Sequence, residues 1–305
     1  MKTCIYYILY SLLYLISLLP LRILYVFSDL MYPFIRLYRN KIVRQNMSEV
    51  FPDRSKEELR KMESQFYHQL ADYIVETIKL FSISKSQLMK RMTFSGFEEM
   101  NHGFDDLKID ALFAYLGHYG NWEWIASLQY WAGDVHCCQI YHPLRNHVFD
   151  RMFLKIRQQY GGECIPMKQT LRRLLKLRYE GKRFICGFIS DQQPKWVAIH
   201  HFTPFLNHDT AVFTGTEQLA KQMNAMIFYA HVTRPKRGYY HCHFQLMTYT
   251  PKEFEDYQLT DRFMQLLQKD IEENPSLWLW THKRWSRTKE EWLKRNNIDG
   301  NNSEG

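Results

Sequence analysis

Residues 4–21, CIYYILYSLLYLISLLPL, carry no charged side chain. A stretch this apolar has no stable place in water, so it belongs in lipid or under the rest of the chain. Its length suits a membrane-crossing helix. Lys2 precedes it, while Arg22, Arg36, Arg39, Lys41 and Arg44 follow. Positive charge thus gathers on the C-terminal side, as expected if that side is cytoplasmic. Pro20 interrupts the run and leaves three arrangements open: a span with its N-terminus outside, a hairpin or interfacial segment in one leaflet, and a cleaved signal peptide. No small-x-small cleavage site follows, which disfavours the third. The reading is an uncleaved N-terminal membrane-anchor helix within residues 1–40, set against a buried core helix.

Beyond the anchor, DRSKEELRKMESQFYHQLADYIVETIKLF (53–81) has apolar residues at helical spacing behind Asp53 or Ser55 as cap. From residue 109 short apolar runs alternate with helical segments. The runs are IDALFAYLG, DVHCCQIY, ECIPM, RFICGFIS and AMIFYAHVT, and the segments between them include HVFDRMFLKIRQQYGG, TLRRLLKLRYEGK and TAVFTGTEQLAKQMN. Such alternation predicts an α/β fold with a mostly parallel central sheet flanked by helices. YYHCHFQLMTY, after the KRG turn, adds a hairpin partner at one edge. A further helix is expected over 251–274 and a basic, tryptophan-rich segment over 276–295. With no repeat or low-complexity linker, one domain over 41–296 follows the anchor, and 297–305 form a disordered tail.

Composition narrows the function classes. The 305 residues are 46% hydrophobic, enough for a sizeable core and too apolar for a disordered chain. The net charge of +8 favours an anionic partner: nucleic acid, an anionic leaflet or an acidic carrier protein. An aromatic share of 16% suits contact with apolar ligands or a membrane interface. The six cysteines form no CxxC pair and several sit in apolar runs, so they read as reduced core residues of a cytoplasmic domain.

The stretch GHYGNWEW (117–124) sits where a strand should end and a helix begin. In open α/β sheets that carboxyl edge is where ligands bind. The expected geometry has Gly117 to Gly120 as the turn, Asn121 as N-cap and Glu123 in the first helical turn, its carboxylate within reach of the His118 imidazole. A carboxylate there fixes the imidazole tautomer and stabilises the imidazolium once a proton is taken, so His118 reads as a general base with Glu123 as partner. The alternative is a histidine that merely caps a turn. No GxSxG elbow or nucleophile turn is present, so the proton would come from a substrate hydroxyl or from water. Arg145, just after a predicted strand, is a candidate for stabilising an oxyanion or gripping a phosphate, or is simply solvated. Asp191 and Gln192 end the run 183–189 and share the edge with His118 in a supporting role, while Asp150 orders the loop near Arg145. Trp122 and Trp124 read as packing around the turn. His282, Lys283 and Arg284 are read as lipid head-group ligands or a solvated basic helix face. His241 and His243 have a metal-compatible spacing, but Cys242 points away and no further ligand set accompanies them, so no metal site is assigned.

In HYGNWE the H-x4-E spacing resembles the catalytic signature of lysophospholipid-type acyltransferases, closest in wording to the lipid A biosynthesis branch, the lauroyl and myristoyl transferases. Further segments agree in order: VRQNMSEVFPDRS (43–55), HPLRNHVFDRM (142–152), ISDQQP (189–194), FTGTEQLAKQMNA (213–225) and WLWTHKRW (278–285). Two places depart from the pattern: His142 replaces a frequent arginine, and HHFTPFLN replaces a double-phenylalanine-glycine loop. The resemblance implies direct acyl transfer with no cofactor and no metal, from an acyl carrier protein thioester to the 3-hydroxyacyl chain of a lipid A precursor. It implies a location at the inner membrane with the domain on the cytoplasmic face, and no nucleic-acid partner. The alternatives are another glycolipid or polyene-type acceptor served from acyl-CoA or a carrier, a non-catalytic protein of anionic membrane surfaces, and, more distantly, a metal hydrolase.

Overall fold

The apolar runs that alternate with helices become the strands of one sheet. The structure, a computed structural model, describes residues 2–296. The expected tail, 297–305, lies outside the described residues. In chain order the elements are α1 (Lys2–Leu18), α2 (Leu21–Ile35), α3 (Asn40–Val50), α4 (Lys56–Lys79), α5 (Lys85–Arg91), β1 (Met92–Ser95), α6 (Phe97–Asn101), β2 (Ala111–Leu116), β3 (His136–Tyr141), α7 (His147–Gln158), β4 (Glu163–Pro166), α8 (Thr170–Tyr179) and β5 (Phe184–Ile189). There follow β6 (Phe202–Phe205), β7 (His208–Ala211), α9 (Gly215–Met223), β8 (Met226–Lys236), β9 (Tyr239–Thr248), α10 (Gln258–Glu273) and α11 (Lys289–Arg295).

Seven strands pair in the order β1-β9-β8-β2-β5-β3-β4. Five of them run parallel, from β8 through β2, β5 and β3 to β4. The fold is mixed α/β with a mostly parallel central sheet flanked by helices, as the alternation predicts. Every residue of β2 is buried, which suits a strand with neighbours on both sides and helices on both faces. The hairpin of β8 and β9 forms as expected, but β9 is not the edge: β1 pairs outside it in parallel. Four residues after a short helix carry too little periodicity to announce that strand. The helical segment expected from Thr210 also begins later, because β7 occupies His208–Ala211 and closes a small hairpin with β6. Of the two candidate caps for α4, Ser55 is used: its Oγ accepts the Glu58 N–H while the Glu58 carboxylate accepts the Ser55 N–H at 2.8 Å.

The two faces of the sheet are built differently. The crossover β3-α7-β4 steps outward and β4-α8-β5 steps back, so right-handed connections place α7 and α8 on opposite faces. Side chains agree with this. Arg173 of α8 holds Glu163 of β4 at 2.6 Å, whereas Arg157 of α7 reaches the turn after β2 on the other face. That second face also carries α4, whose Glu76 carbonyl accepts the Trp124 indole N–H, and α1, whose Tyr6 and Tyr10 lie under Arg151 and Lys155 of α7.

Where one anchor helix is expected, the chain breaks at Pro20 into α1 and α2, bent by 112°. Among the described residues no single helix is long and apolar enough to cross a membrane, and the bent pair passes that test by length and composition alone. Outward, the pair exposes Ile8, Leu12, Leu15, Val26, Leu30 and Phe34. Inward it is tied to α4. The Lys79 ammonium donates to the Ser17 and Leu19 carbonyls at the end of α1, the Tyr25 hydroxyl donates to Glu76 at 2.7 Å, and the Ser28 hydroxyl donates to Asp72 at 2.7 Å. Glu76 and Asp72 are buried, so each lost donor leaves an expensive acceptor. Tyr25→Phe is therefore expected to lower the unfolding free energy by roughly 1–3 kcal/mol, read by urea denaturation in detergent.

Candidate active site at the carboxyl edge of the sheet

Between β2 and the helical turn that follows it, the chain reverses sharply at Gly120, whose φ of +65° is a left-handed conformation that glycine adopts without strain. The C-terminal segment locks this turn in place. The Gly120 N–H donates to the Leu277 carbonyl at 2.9 Å, the Leu279 N–H donates to the His118 carbonyl at 3.1 Å, and Tyr119 bridges to Trp278. The Tyr119 hydroxyl donates to the Asp270 carbonyl at 2.8 Å. The position of His118 is thus set by the distant 277–279 segment and by Asp270 on α10.

The imidazole is bonded to Asp191, the second residue beyond the end of β5. The His118 Nδ1 lies 2.7 Å from one carboxylate oxygen, and the His118 backbone N–H donates to the other at 3.0 Å. The Trp278 indole N–H supplies a third donor at 2.8 Å. Asp191 is 1% exposed, and burial pushes its carboxyl up. The neighbouring His118 and the bonds from His118 and Trp278 outweigh burial and hold it below the usual range. An ionised carboxylate only accepts, so Nδ1 carries the proton and Nε2 presents its lone pair. The His118 side chain is partly exposed, and Nε2 lies 3.4 Å from the Gln192 amide nitrogen. Trp122 meets the imidazole edge-on at 5.2 Å.

Glu123 does not take the place expected for it. No hydrogen bond joins it to His118 among the described residues. Its carboxylate is gripped by both arms of Arg157, at 2.7 and 2.5 Å, with the Tyr73 hydroxyl at 3.5 Å. The reason is local. An α-helix starting after Asn121 would have folded Glu123 back toward the imidazole, but residues Trp124–Tyr130 form a 3-10 helix instead, preceded by Glu123. Glu123 is buried, and the nearest cation is on α7. Asn121 does cap the turn: its side-chain oxygen accepts the Trp124 N–H at 3.1 Å while its amide donates to Glu76 at 2.7 Å.

The remaining candidates spread along the edge. Arg145 lies in the exposed loop after β3, two strands from β2, and makes no hydrogen bond or ion pair among the described residues. Asp150 orders that loop by accepting the Leu144 N–H at 2.7 Å. His241 and His243 share a hydrogen bond to the Ser95 hydroxyl. His282, Lys283 and Arg284 do not form a basic helix face, because no helix covers them. Only Lys283 is exposed; Arg284 is wholly buried, and none of its guanidinium nitrogens has a partner among the described residues. Burial pulls its pKa down to about 10 against the opposing pull of Asp191. Burial, and then Arg284, push His282 down to about 4.

Residue-by-residue reading missed Trp278, Arg157 and Tyr73 as parts of this arrangement. The order of the matching segments contained the signal for Trp278. For Arg157 there was none beyond its place on an amphipathic helix.

Two outcomes follow from these pairings. Glu123→Ala leaves Arg157 mostly buried without its partner and should cost about 3 kcal/mol of stability, read by urea denaturation. For His282, a folded pKa of about 4 against an ordinary 6.5 means that the unfolded chain binds more protons between those values. Stability contributed there is present above pH 6.5 and lost on acidification toward pH 4. His231, raised by Asp270, contributes with the opposite sign. His282→Asn should flatten the pH dependence of unfolding in that window.

Residues 1–287 match the family described as bacterial lipid A biosynthesis acyltransferase. A search of curated proteins found no match.

Proposed function

Because the chain belongs to the bacterial lipid A biosynthesis acyltransferase family, and the family's reaction is acyl transfer to a lipid A precursor, we propose that His118 and Asp191 form the base that drives this transfer here. The observation that carries the reading is the 2.7 Å contact between the His118 Nδ1 and the buried Asp191 carboxylate. It leaves Nε2 free to take a proton.

The acceptor is a hydroxyl of the 3-hydroxyacyl chain on the lipid A precursor, and the donor is an acyl carrier protein thioester. Nε2 removes the hydroxyl proton as the oxygen attacks the thioester carbonyl carbon. Asp191, itself buried, stabilises the imidazolium that forms. The tetrahedral oxyanion collapses, the carbon–sulfur bond breaks, and the thiolate leaves with the proton held by His118. The Gln192 amide, close to Nε2, is placed to donate to the reacting oxygens, and Arg145 at the rim attracts an anionic substrate. Glu123 supports His118 indirectly: its ion pair with Arg157 anchors the turn that carries the imidazole. No cofactor or metal enters this scheme.

The outer apolar side of α1 and α2 supports attachment to one leaflet of the inner membrane, with the domain over 41–296 on the cytoplasmic side. Exposed leucines and aromatics gain by entering the acyl boundary, and basic residues nearby favour anionic lipid.

The roles are separable by experiment. With labelled acyl carrier protein and purified lipid A precursor, His118→Ala and Asp191→Asn should each lower kcat on the order of 10²–10⁴-fold, with little change in KM. Glu123→Gln should lower thermal stability more than kcat measured at low temperature. Asp191→Asn with wild-type kcat would remove the dyad from the mechanism. Absence of transfer even by the unaltered protein would favour a non-catalytic membrane-binding role.

A further inference from the structure

Helix α8 and the 3-10 turn before it expose Met167, Leu171, Leu175 and Tyr179, one residue in four, at 51, 37, 46 and 93% of their full surface. That spacing makes a single apolar stripe along the outside of the helix. The inner side is already occupied, because Leu174 and Leu177 are fully buried against the sheet. An amphipathic helix with one buried apolar side needs no second one, and a second one left in water points to a binding surface. One position along, Lys168, Arg172 and Lys176 form a parallel exposed stripe. Lys168 and Arg172 make no hydrogen bond or ion pair among the described residues, and Lys176 only approaches Glu180 at 3.9 Å.

Position selects the occupant. The stripe lies on the opposite face of the sheet from α1, α2, α4 and α7, so a flat lipid surface covering the outer side of α1 and α2 does not reach it. It does reach the catalytic edge. Met167 follows Pro166, which is the register partner of Tyr141 at the end of β3. Next in order come β5 and β2, whose ends carry Asp191 and His118. Three strand spacings, about 14 Å, separate the start of α8 from the imidazole. A donor group on a flexible arm spans that distance while its carrier stays in the aqueous phase.

We propose that the outer face of α8 is the docking surface for the protein that delivers the acyl thioester: an acidic surface with an apolar centre, its carboxylates meeting Lys168, Arg172 and Lys176 and its apolar side chains covering Leu171 and Leu175. The inference rests on the acyl-transfer reading and adds the place where the donor binds. Charge complementarity of this kind speeds encounter and weakens with salt.

The test uses the full chain in detergent and fluorescently labelled dodecanoyl acyl carrier protein. Arg172→Glu/Lys176→Glu should raise the Kd by 10-fold or more, and Leu171→Ser/Leu175→Ser should do so without altering the salt dependence that remains. Both should raise KM for the carrier thioester. Transfer from dodecanoyl-CoA, kcat at saturation, the melting temperature and flotation with anionic vesicles should stay unchanged. An unaltered Kd in both variants overturns the proposal, as does an equal loss with both donors. Lost flotation with unaltered Kd assigns the stripe to lipid and likewise overturns it, and lost self-association with unaltered Kd assigns it to a second copy with the same consequence. If the unaltered protein binds the carrier through α8 but transfers from neither donor, the docking surface stands and the acyl-transfer reading falls.

Discussion

One buried carboxylate holds the carboxyl edge of the sheet together at His118. Asp191 gathers the His118 backbone N–H, the His118 imidazole and the Trp278 indole N–H, so the ends of β2 and β5 and the C-terminal segment meet at its two oxygens. A carboxylate with almost no exposure is tolerable only when donors satisfy it, and as an acceptor it in turn sets the imidazole tautomer. The backbone N–H of His118 adds rigidity, because ring and main chain are held to the same partner.

Around this centre the turn is fixed by further buried acids, each with its own donors. Glu123 takes Arg157, and Glu76 takes Asn121, Tyr240 and Tyr25. Asp72 takes Ser28, Arg234 and Arg237. Through Tyr25 and Ser28 these networks run from the turn into α2, so the helices with the apolar outer side are joined to the body that carries His118. Arg284 contrasts with them: a wholly buried guanidinium that makes no hydrogen bond among the described residues and lies over the Phe205 ring is costly to stability. Its positive charge opposes protonation of the Asp191 carboxylate.

The strands were legible because burial on both faces leaves continuous apolar runs, and β2, β3, β4, β5 and β8 fall where such runs occur. β1 was not, since four residues paired only at the outside of β9 carry almost no pattern of their own. His118 and Asp191 were each placed at the carboxyl edge by the ends of their strands. Their pairing was not legible, because residues 73 positions apart leave no mark of contact in spacing. Glu123 misled for the converse reason: nearness in sequence suggested contact, and a 3-10 helix in place of an α-helix turned the side chain toward α7.

By itself the sequence determined the layered α/β class, the apolar N-terminal segment and the placing of His118 and Asp191 at the carboxyl edge, because these depend on hydrophobic periodicity and on where strands end. Only the tertiary structure decided which acid serves the imidazole, that Pro20 divides the apolar segment into two helices, and that Arg284 is buried. Those outcomes depend on which donors and cations reach each side chain once distant strands are side by side, and that is a property of packing rather than of any local pattern.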